Sequence, residues 1–404
     1  MRTLFTGALI LPDRIVAEGA VLVDGGRVVA SGRRQEISDV ADSSVDVEEG
    51  YLAPGFVDLH CHGGEGADFM DGTDEAFRTI LRAHLGHGTT TMAPTTTVAD
   101  HDQILNALEA CHRATGNDGF GLFSQGESCG ARVVGAHLYG PYFGPGAEGC
   151  HPAAALRLPD PQEYSQYLQF HSGIACATIA PELPGAQAFA RAAAVAGIHL
   201  HAGHSNATFS EIEAALEWGI RHVDHLFCAM SDRGKLKMDV PFPMRGGLME
   251  AALYFDELTT EVIADGRHLA PELLKLAYRI KGAERLALIT DCNRALHMPD
   301  GEYVFGPCDG GEPFLRRGGV GVTLDGAGLA SGCEGMDHMV RTFVEATGAS
   351  HVDAVRMASE TPARILGIDG EVGSLTSGRR ADLLVLTPHL QLTRVFLAGR
   401  EVVT

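Results

Sequence analysis

No stretch of this 404-residue chain approaches the roughly 18 consecutive apolar residues that a membrane-crossing helix needs, so no membrane-embedded role is expected. Basic residues are scarce, with 31 Lys and Arg against 52 Asp and Glu and a formal charge of −21. So acidic a chain lacks the basic face with which a protein holds nucleic acid or an anionic membrane, and its charge reads as a solubility device. The nine cysteines include no C-x-x-C pair, and an odd number cannot all pair, so neither a disulfide framework nor a cysteine zinc cage is expected. The opening Met1–Pro12 is apolar but has no basic segment, and reads as a first strand instead of a secretion signal. Unpaired cysteines and no leader make the cytoplasm the expected compartment. Internal repeats and low-complexity segments are also lacking. The run Gly318-Gly319-Val320-Gly321 has no phosphate-loop lysine after it and reads as a loop.

What is there is an ordinary globular composition, 45% hydrophobic and 21% charged, in a chain long enough for a barrel and a smaller domain. From residue 53 onward, short apolar segments alternate with helical ones. The pattern predicts strands at 56–60, 89–94, 133–138, 175–180, 198–202, 222–225, 261–264 and 286–289. Helices are predicted between them, as at 73–87 and at 210–218, the latter opened by a capping box from Thr208 to Glu211. Eight strands separated by helices close naturally into a parallel (β/α)8 barrel, an α/β fold of the TIM type. The chain ends read differently, as short alternating strands with turn signals. We therefore expect a small β-sandwich built from residues 1–52 and 372–404, and a barrel domain over residues 53–371.

Chemistry-bearing residues gather at the expected strand ends. His60 and His62 follow the apolar run Phe56-Val57-Asp58-Leu59. Positions i and i+2 of a strand face the same way, so both imidazoles can close on one ion. His204, His225 and Asp291 each follow a run of their own, and a barrel of this type does its chemistry where its strands end. For His137, His201 and His222, burial or a supporting contact behind the ligands is expected in preference to ligation, because strand alternation turns some of them from the axis.

With Pro54-Gly55-Phe56-Val57-Asp58-Leu59-His60-Cys61-His62-Gly63-Gly64, Gly88-Thr89-Thr90-Thr91, Ala180-Pro181-Glu182, Ala202-Gly203-His204-Ser205-Asn206-Ala207-Thr208, His225-Leu226 and Thr290-Asp291 in this order, the chain resembles the amidohydrolase superfamily. Within it, the chain is similar to the N-acetylglucosamine-6-phosphate deacetylases. The resemblance implies a metal-dependent amide hydrolase that deacetylates an N-acetylamino sugar, N-acetylglucosamine 6-phosphate in particular, working as a homodimer. It implies a sugar-binding role for His151 and His268, with Cys228 lining the pocket where similar proteins carry asparagine. Arg245 is the nearest match to the arginine that the family lends from a neighbouring subunit to the phosphate. Glu182 is expected to serve in a supporting role.

The main departure is at the third strand, where the family carries a metal-ligating glutamate and this chain reads His137-Leu138-Tyr139-Gly140-Pro141. A phenol is a far poorer ligand for a divalent ion than a carboxylate. His60, His62, His204 and Asp291 still make a three-nitrogen, one-oxygen set suited to one zinc ion, with His225 completing the shell or bonding to water or carbonyl. A second arrangement keeps the ion between His204 and His225. Asp291 and His225 are the expected catalytic pair: Asp291 moves the proton and His225 steadies the oxyanion. Two further readings stay open, an amidohydrolase acting on another cyclic amide or amine and a metal-free sugar-binding homologue.

Overall fold

The computed structural model describes residues 2–38, 40–117, 119–125, 128–239 and 243–402. Eight parallel positions form the barrel: β1 Phe56–Cys61, β2 Thr89–Pro94, β3 Ala136–Tyr139, β4 Ile174–Ile179, β5 His199–Ala202, β6 Ile220–Val223, β7 Thr259–Ile263 and β8 Leu286–Ile289. Strands β3 to β8 run side by side in order, and β1 pairs with β2. Parallel bridges Thr95 to His137 and Cys61 to Cys292 close the ring. Every residue of β1, β2, β3 and β8 is buried, as expected for strands covered on both faces.

The third strand differs from the expected continuous 133–138. A segment Ser128–Val133 pairs parallel with β2, and the chain then breaks before β3. Gly135 sits in the break at φ 117°, and a Cβ there would lie 2.8 Å from the Ala175 nitrogen, so only glycine fits. The other expected strands agree within one or two residues.

Helices between the strands show the local signals that start them. The helix Asp74–Leu85 is capped by Thr73 and buries Phe77, Ile80 and Leu81 on one face. The helix Phe209–Leu216 opens on the reciprocal Thr208 and Glu211 capping box.

The chain ends form one seven-stranded sheet, ordered Arg400–Val402, Leu392–Leu397, Leu383–Leu386, Ser43–Pro54, Thr3–Ile10, Ile15–Asp24 and Arg27–Arg33. Gly25 and Gly26, at φ 57° and 76°, make the tight hairpin turn between two of them. The sheet curls around a core in which the Phe5 and Phe396 rings meet edge to face at 5.0 Å. A second, unexpected sheet follows β8, an antiparallel meander of Gly301–Phe305, Glu312–Arg317, Val320–Thr323 and Leu329–Gly332. Gly318 and Gly319 make one of its turns, and Val320 and Gly321 are strand where a loop was expected.

Arg132 ties the barrel to the terminal sheet. Its guanidinium meets the Asp382 carboxylate at 3.0 and 3.3 Å, both side chains being about 95% buried, and Asp382 also accepts from the Ala398 N–H. Breaking a buried pair leaves an unpaired charge, so Arg132→Met should cost about 3–5 kcal/mol, whereas Arg132→Met with Asp382→Leu should cost much less. Denaturant midpoints of the two variants test this. Equal losses would show that the ion pair is not what joins the two layers.

Candidate metal centre and substrate cleft

At the carboxyl-terminal mouth of the barrel lies a cleft of about 360 Å³. His62, Tyr139, His204, His225 and Asp291 line it together with His151, Cys228 and His268. Each of the first group stands at or just past a strand end: His62 directly after β1, which carries His60, Tyr139 on β3, His204 after β5, His225 after β6 and Asp291 after β8. His204, His225 and Asp291 adopt positive φ, at 46°, 22° and 43°, a region that non-glycine residues seldom occupy. Three such residues on one wall mark backbone strain concentrated where side chains must be aimed.

The donor atoms fall into two sets. His60 Nε2 and His62 Nε2 lie 3.5 and 3.3 Å from Asp291 Oδ1, and the three groups offer ligand atoms within 4.8 Å of one another. His204 does not join that set; its Nε2 lies 3.2 Å from His225 Nε2, which is itself 2.5 Å from the Tyr139 hydroxyl. Bonds of about 2.1 Å in a tetrahedron separate neighbouring donor atoms by roughly 3.4 Å, so the spacing around Asp291 suits a divalent ion.

Hydrogen bonding fixes which nitrogens are bare. Glu261 Oε1 accepts from the His225 backbone N–H at 3.1 Å and from His60 Nδ1 at 2.7 Å, which leaves His60 Nε2 unprotonated. That nitrogen is buried and has no hydrogen-bond partner. His204 Nδ1 donates to the Ala147 carbonyl at 2.6 Å, so its Nε2 is a lone pair as well. An imidazole steadied this way by an oxygen acceptor is the usual state of a metal ligand. Tyr139 behaves differently. Burial and the surrounding carboxylates push its phenol well above the usual range, so it stays protonated and donates to His225 Nε2.

Supporting contacts set the remaining residues. Glu182 accepts from the Ser205 hydroxyl at 2.7 Å and the Asn206 N–H at 2.6 Å, which holds the turn that carries His204. His268 Nδ1 donates to Asp265 at 2.7 Å, and His151 Nδ1 accepts from the Val98 N–H at 3.3 Å. Arg245 is exposed and is not among the residues lining the cleft. The sequence reading did not single out Glu261 or the meander, which contributes Thr323, Leu329 and Ser331 to the cleft wall. A lone glutamate inside the β-branched run Thr259-Thr260-Glu261-Val262-Ile263 is the signal the sequence offers for Glu261.

A closed barrel whose mouth gathers bare imidazole nitrogens and a carboxylate defines a metal-assisted hydrolase. Residues 51–402 match the family described as Amidohydrolase family, and the chain belongs to it, a family of carbon–nitrogen bond hydrolases that work with a divalent metal ion. It is 32% identical to an N-acetylgalactosamine-6-phosphate deacetylase of Escherichia coli O157:H7, over 96% of this chain and 97% of that relative. It is 30% identical to the N-acetylglucosamine-6-phosphate deacetylase of Bacillus subtilis, over 97% and 94%. Among solved structures, the N-acetyl-D-glucosamine-6-phosphate deacetylase of Mycobacterium smegmatis superposes with a TM-score of 0.87 at 30% identity, over 100% of both chains.

Burial, reinforced for most of them by neighbouring imidazoles, holds seven histidines neutral. His60, His137, His151, His204 and His222 lie well below the usual range, and His84 and His201 at about 3. An unfolded chain protonates such groups near pH 6.5 while the folded one does not. Their contribution to stability is therefore complete above that pH and is lost as pH falls toward about 3, at up to ~1.4 kcal/mol per pH unit for each histidine. Guanidinium unfolding of chelator-treated protein at pH 8, 6.5 and 5 should show a steep fall in stability below 6.5, shallower in His201→Gln. A flat profile would mean that these rings are protonated in the folded state.

Proposed function

We propose that this chain removes the acetyl group from an N-acetylhexosamine 6-phosphate, N-acetylglucosamine 6-phosphate foremost, yielding the amino sugar and acetate. The observation that carries the reading is the His60, His62 and Asp291 set, with near-tetrahedral spacing around Asp291, under a cleft of sugar size. Whole-length similarity to deacetylases of such substrates supports it.

His60, His62 and Asp291 would hold one ion, for which zinc suits the imidazole and carboxylate donors. The ion, when bound, supplies Lewis-acid polarisation and makes water acidic enough to react near neutral pH. His204 and His225 line the same wall, and the Tyr139 donor already meets the His225 lone pair. That bond removes His225 from ligation, which favours one ion over two. In hydrolysis, water oxygen bonds to the acetamide carbon and the carbon–nitrogen bond breaks. Asp291 accepts the water proton and passes it to the departing nitrogen, which would otherwise leave as an unstable anion. The Tyr139 hydroxyl has one proton, which His225 accepts in the free protein, so to meet the negative charge that grows on the carbonyl oxygen it would have to turn that proton from His225 to the substrate. His151 and His268 face the sugar, and Cys228 lies beside them.

No lysine or arginine lines the cleft among the described residues, so the phosphate must be met from its rim. Arg245 of a second copy in a homodimer fits that need, and the sheet of residues 1–52 and 372–404 then serves as a separate support for the barrel of 53–371. The reaction belongs in the cytoplasm. The cation-poor lining favours a second reading, an uncharged cyclic amide or amine as substrate. Acetate release from N-acetylglucosamine 6-phosphate, compared with its galactosamine isomer, the unphosphorylated sugar and ammonia release from cyclic substrates, separates them.

Three outcomes are expected. Chelation should abolish turnover, and zinc should restore it at one ion per chain; less than ~0.2 ion with no turnover would leave a binding protein in place of an enzyme. Asp291→Asn should lower kcat by at least ~10² with the fold intact, and near-normal rates would remove Asp291 from proton transfer. Tyr139→Glu should raise the metal content from one ion toward two by giving His204 and His225 a carboxylate partner. Unchanged stoichiometry there would show that β3 does not set the ion count.

A further inference from the structure

We propose that the barrel interior, below the catalytic mouth, holds a second cation site formed by His137, Cys176 and His201, which takes a soft closed-shell ion, Zn2+ or Cu+. The residues stand on three neighbouring strands, β3, β4 and β5, with His137 paired opposite Cys176. Each offers a ligand atom within 4.8 Å of the other two, and all three side chains are at least 99% buried. The site is independent of the substrate assignment above.

Hydrogen bonding again decides which nitrogens are free. Asp224, an acceptor, takes the Thr178 hydroxyl proton at 2.6 Å and the His201 Nδ1 proton at 3.1 Å. With its only proton committed, the Thr178 oxygen accepts from His137 Nε2 at 2.7 Å. His137 Nδ1 and His201 Nε2 are thereby left as lone pairs, and neither has any hydrogen-bond partner. A carboxylate that orders two imidazoles so that each presents a bare nitrogen is the arrangement found behind metal-ligating histidines. Buried polar atoms without partners are costly, and a barrel interior is normally filled by branched apolar side chains. Asp224 also has no lysine or arginine partner among the described residues, so a cation nearby would offset its charge.

Two imidazoles and one sulfur suit thiophilic ions. Burial keeps the Cys176 thiol protonated, so binding releases its proton to solvent as the sulfur–metal bond forms, with no change of oxidation state. The opposite end of the barrel from the substrate cleft brings solvent as far as His201. A cavity of about 410 Å³ opens there between the amino-terminal ends of β5, β6 and β7, with His201 and His222 in its wall.

The test uses full-length protein, stripped and reloaded in two arms. With Co2+ as the zinc probe, the native chain should show a sulfur-to-cobalt charge-transfer band and one equivalent beyond that held at His60, His62 and Asp291. Cys176→Ser should lose the band and that equivalent while its turnover stays unchanged, and Cys176→Ala serves if the serine variant fails to fold. With Cu+ presented from a coloured chelator, native protein should withdraw one equivalent and the Cys176 variants none. A Cys176-dependent signal in the copper arm alone identifies the ion as Cu+. No Cys176-dependent binding in either arm overturns the site. Native protein that shows the Cys176-dependent band but releases no acetate would instead count against the catalytic reading alone.

Discussion

Glu261 is the group on which the mouth of the barrel depends. Placed on β7 and fully buried, it takes the proton-bearing side of His60 with one oxygen and also accepts the backbone N–H of His225. Its second oxygen meets His222 at 3.2 Å. One carboxylate thus fixes the tautomer of His60 and the position of the β6 end that carries His225. Burial makes this expensive, because its charged form is desolvated and faces Asp224, Asp291 and Asp58, all of which push its pKa up. A cation at the mouth would relieve that cost, which would couple the structure to the ion through electrostatics in a low-dielectric interior.

The same logic repeats down the axis. Asp58 receives the Thr290 hydroxyl at 2.5 Å and both the Thr290 and His60 backbone amides, which hold β1 against β8 beneath the site. Burial and Asp291 raise its carboxyl to about 7 despite those bonds. Asp224 orders His201, Thr178 and, through the latter, His137. This barrel is thus packed by a hydrogen-bonded polar column where most are packed by aliphatic layers. Such a column holds its side chains to specific rotamers and protonation states, which is what a preorganised site requires.

Tyr139 shows how one buried phenol sets the state of a neighbouring imidazole. The phenol is longer than a carboxylate, stays protonated when buried, and gives a hydrogen bond where an anion would take a metal bond. Its ring packs edge-on against His60, His204 and Phe143, so it is also part of the wall. The meander after β8 supplies the facing side of the cleft, and Phe305 packs on both His62 and His151.

The sequence by itself determined the alternation of strand and helix, the facing pair His60 and His62, and the placement of His204, His225 and Asp291 after strands. All of these follow from local periods, two residues for a strand and 3.6 for a helix, together with turn and capping signals that act over a few residues. Only the tertiary structure decided which of these side chains come together. His204 sits with His225 and Tyr139 instead of with His60 and His62, because position around a closed barrel is set by strand register and stagger, which no local pattern encodes. The same holds for Glu261, whose partner His60 lies 201 residues away, and for the meander, whose contribution to the cleft depends on how it folds back over the mouth.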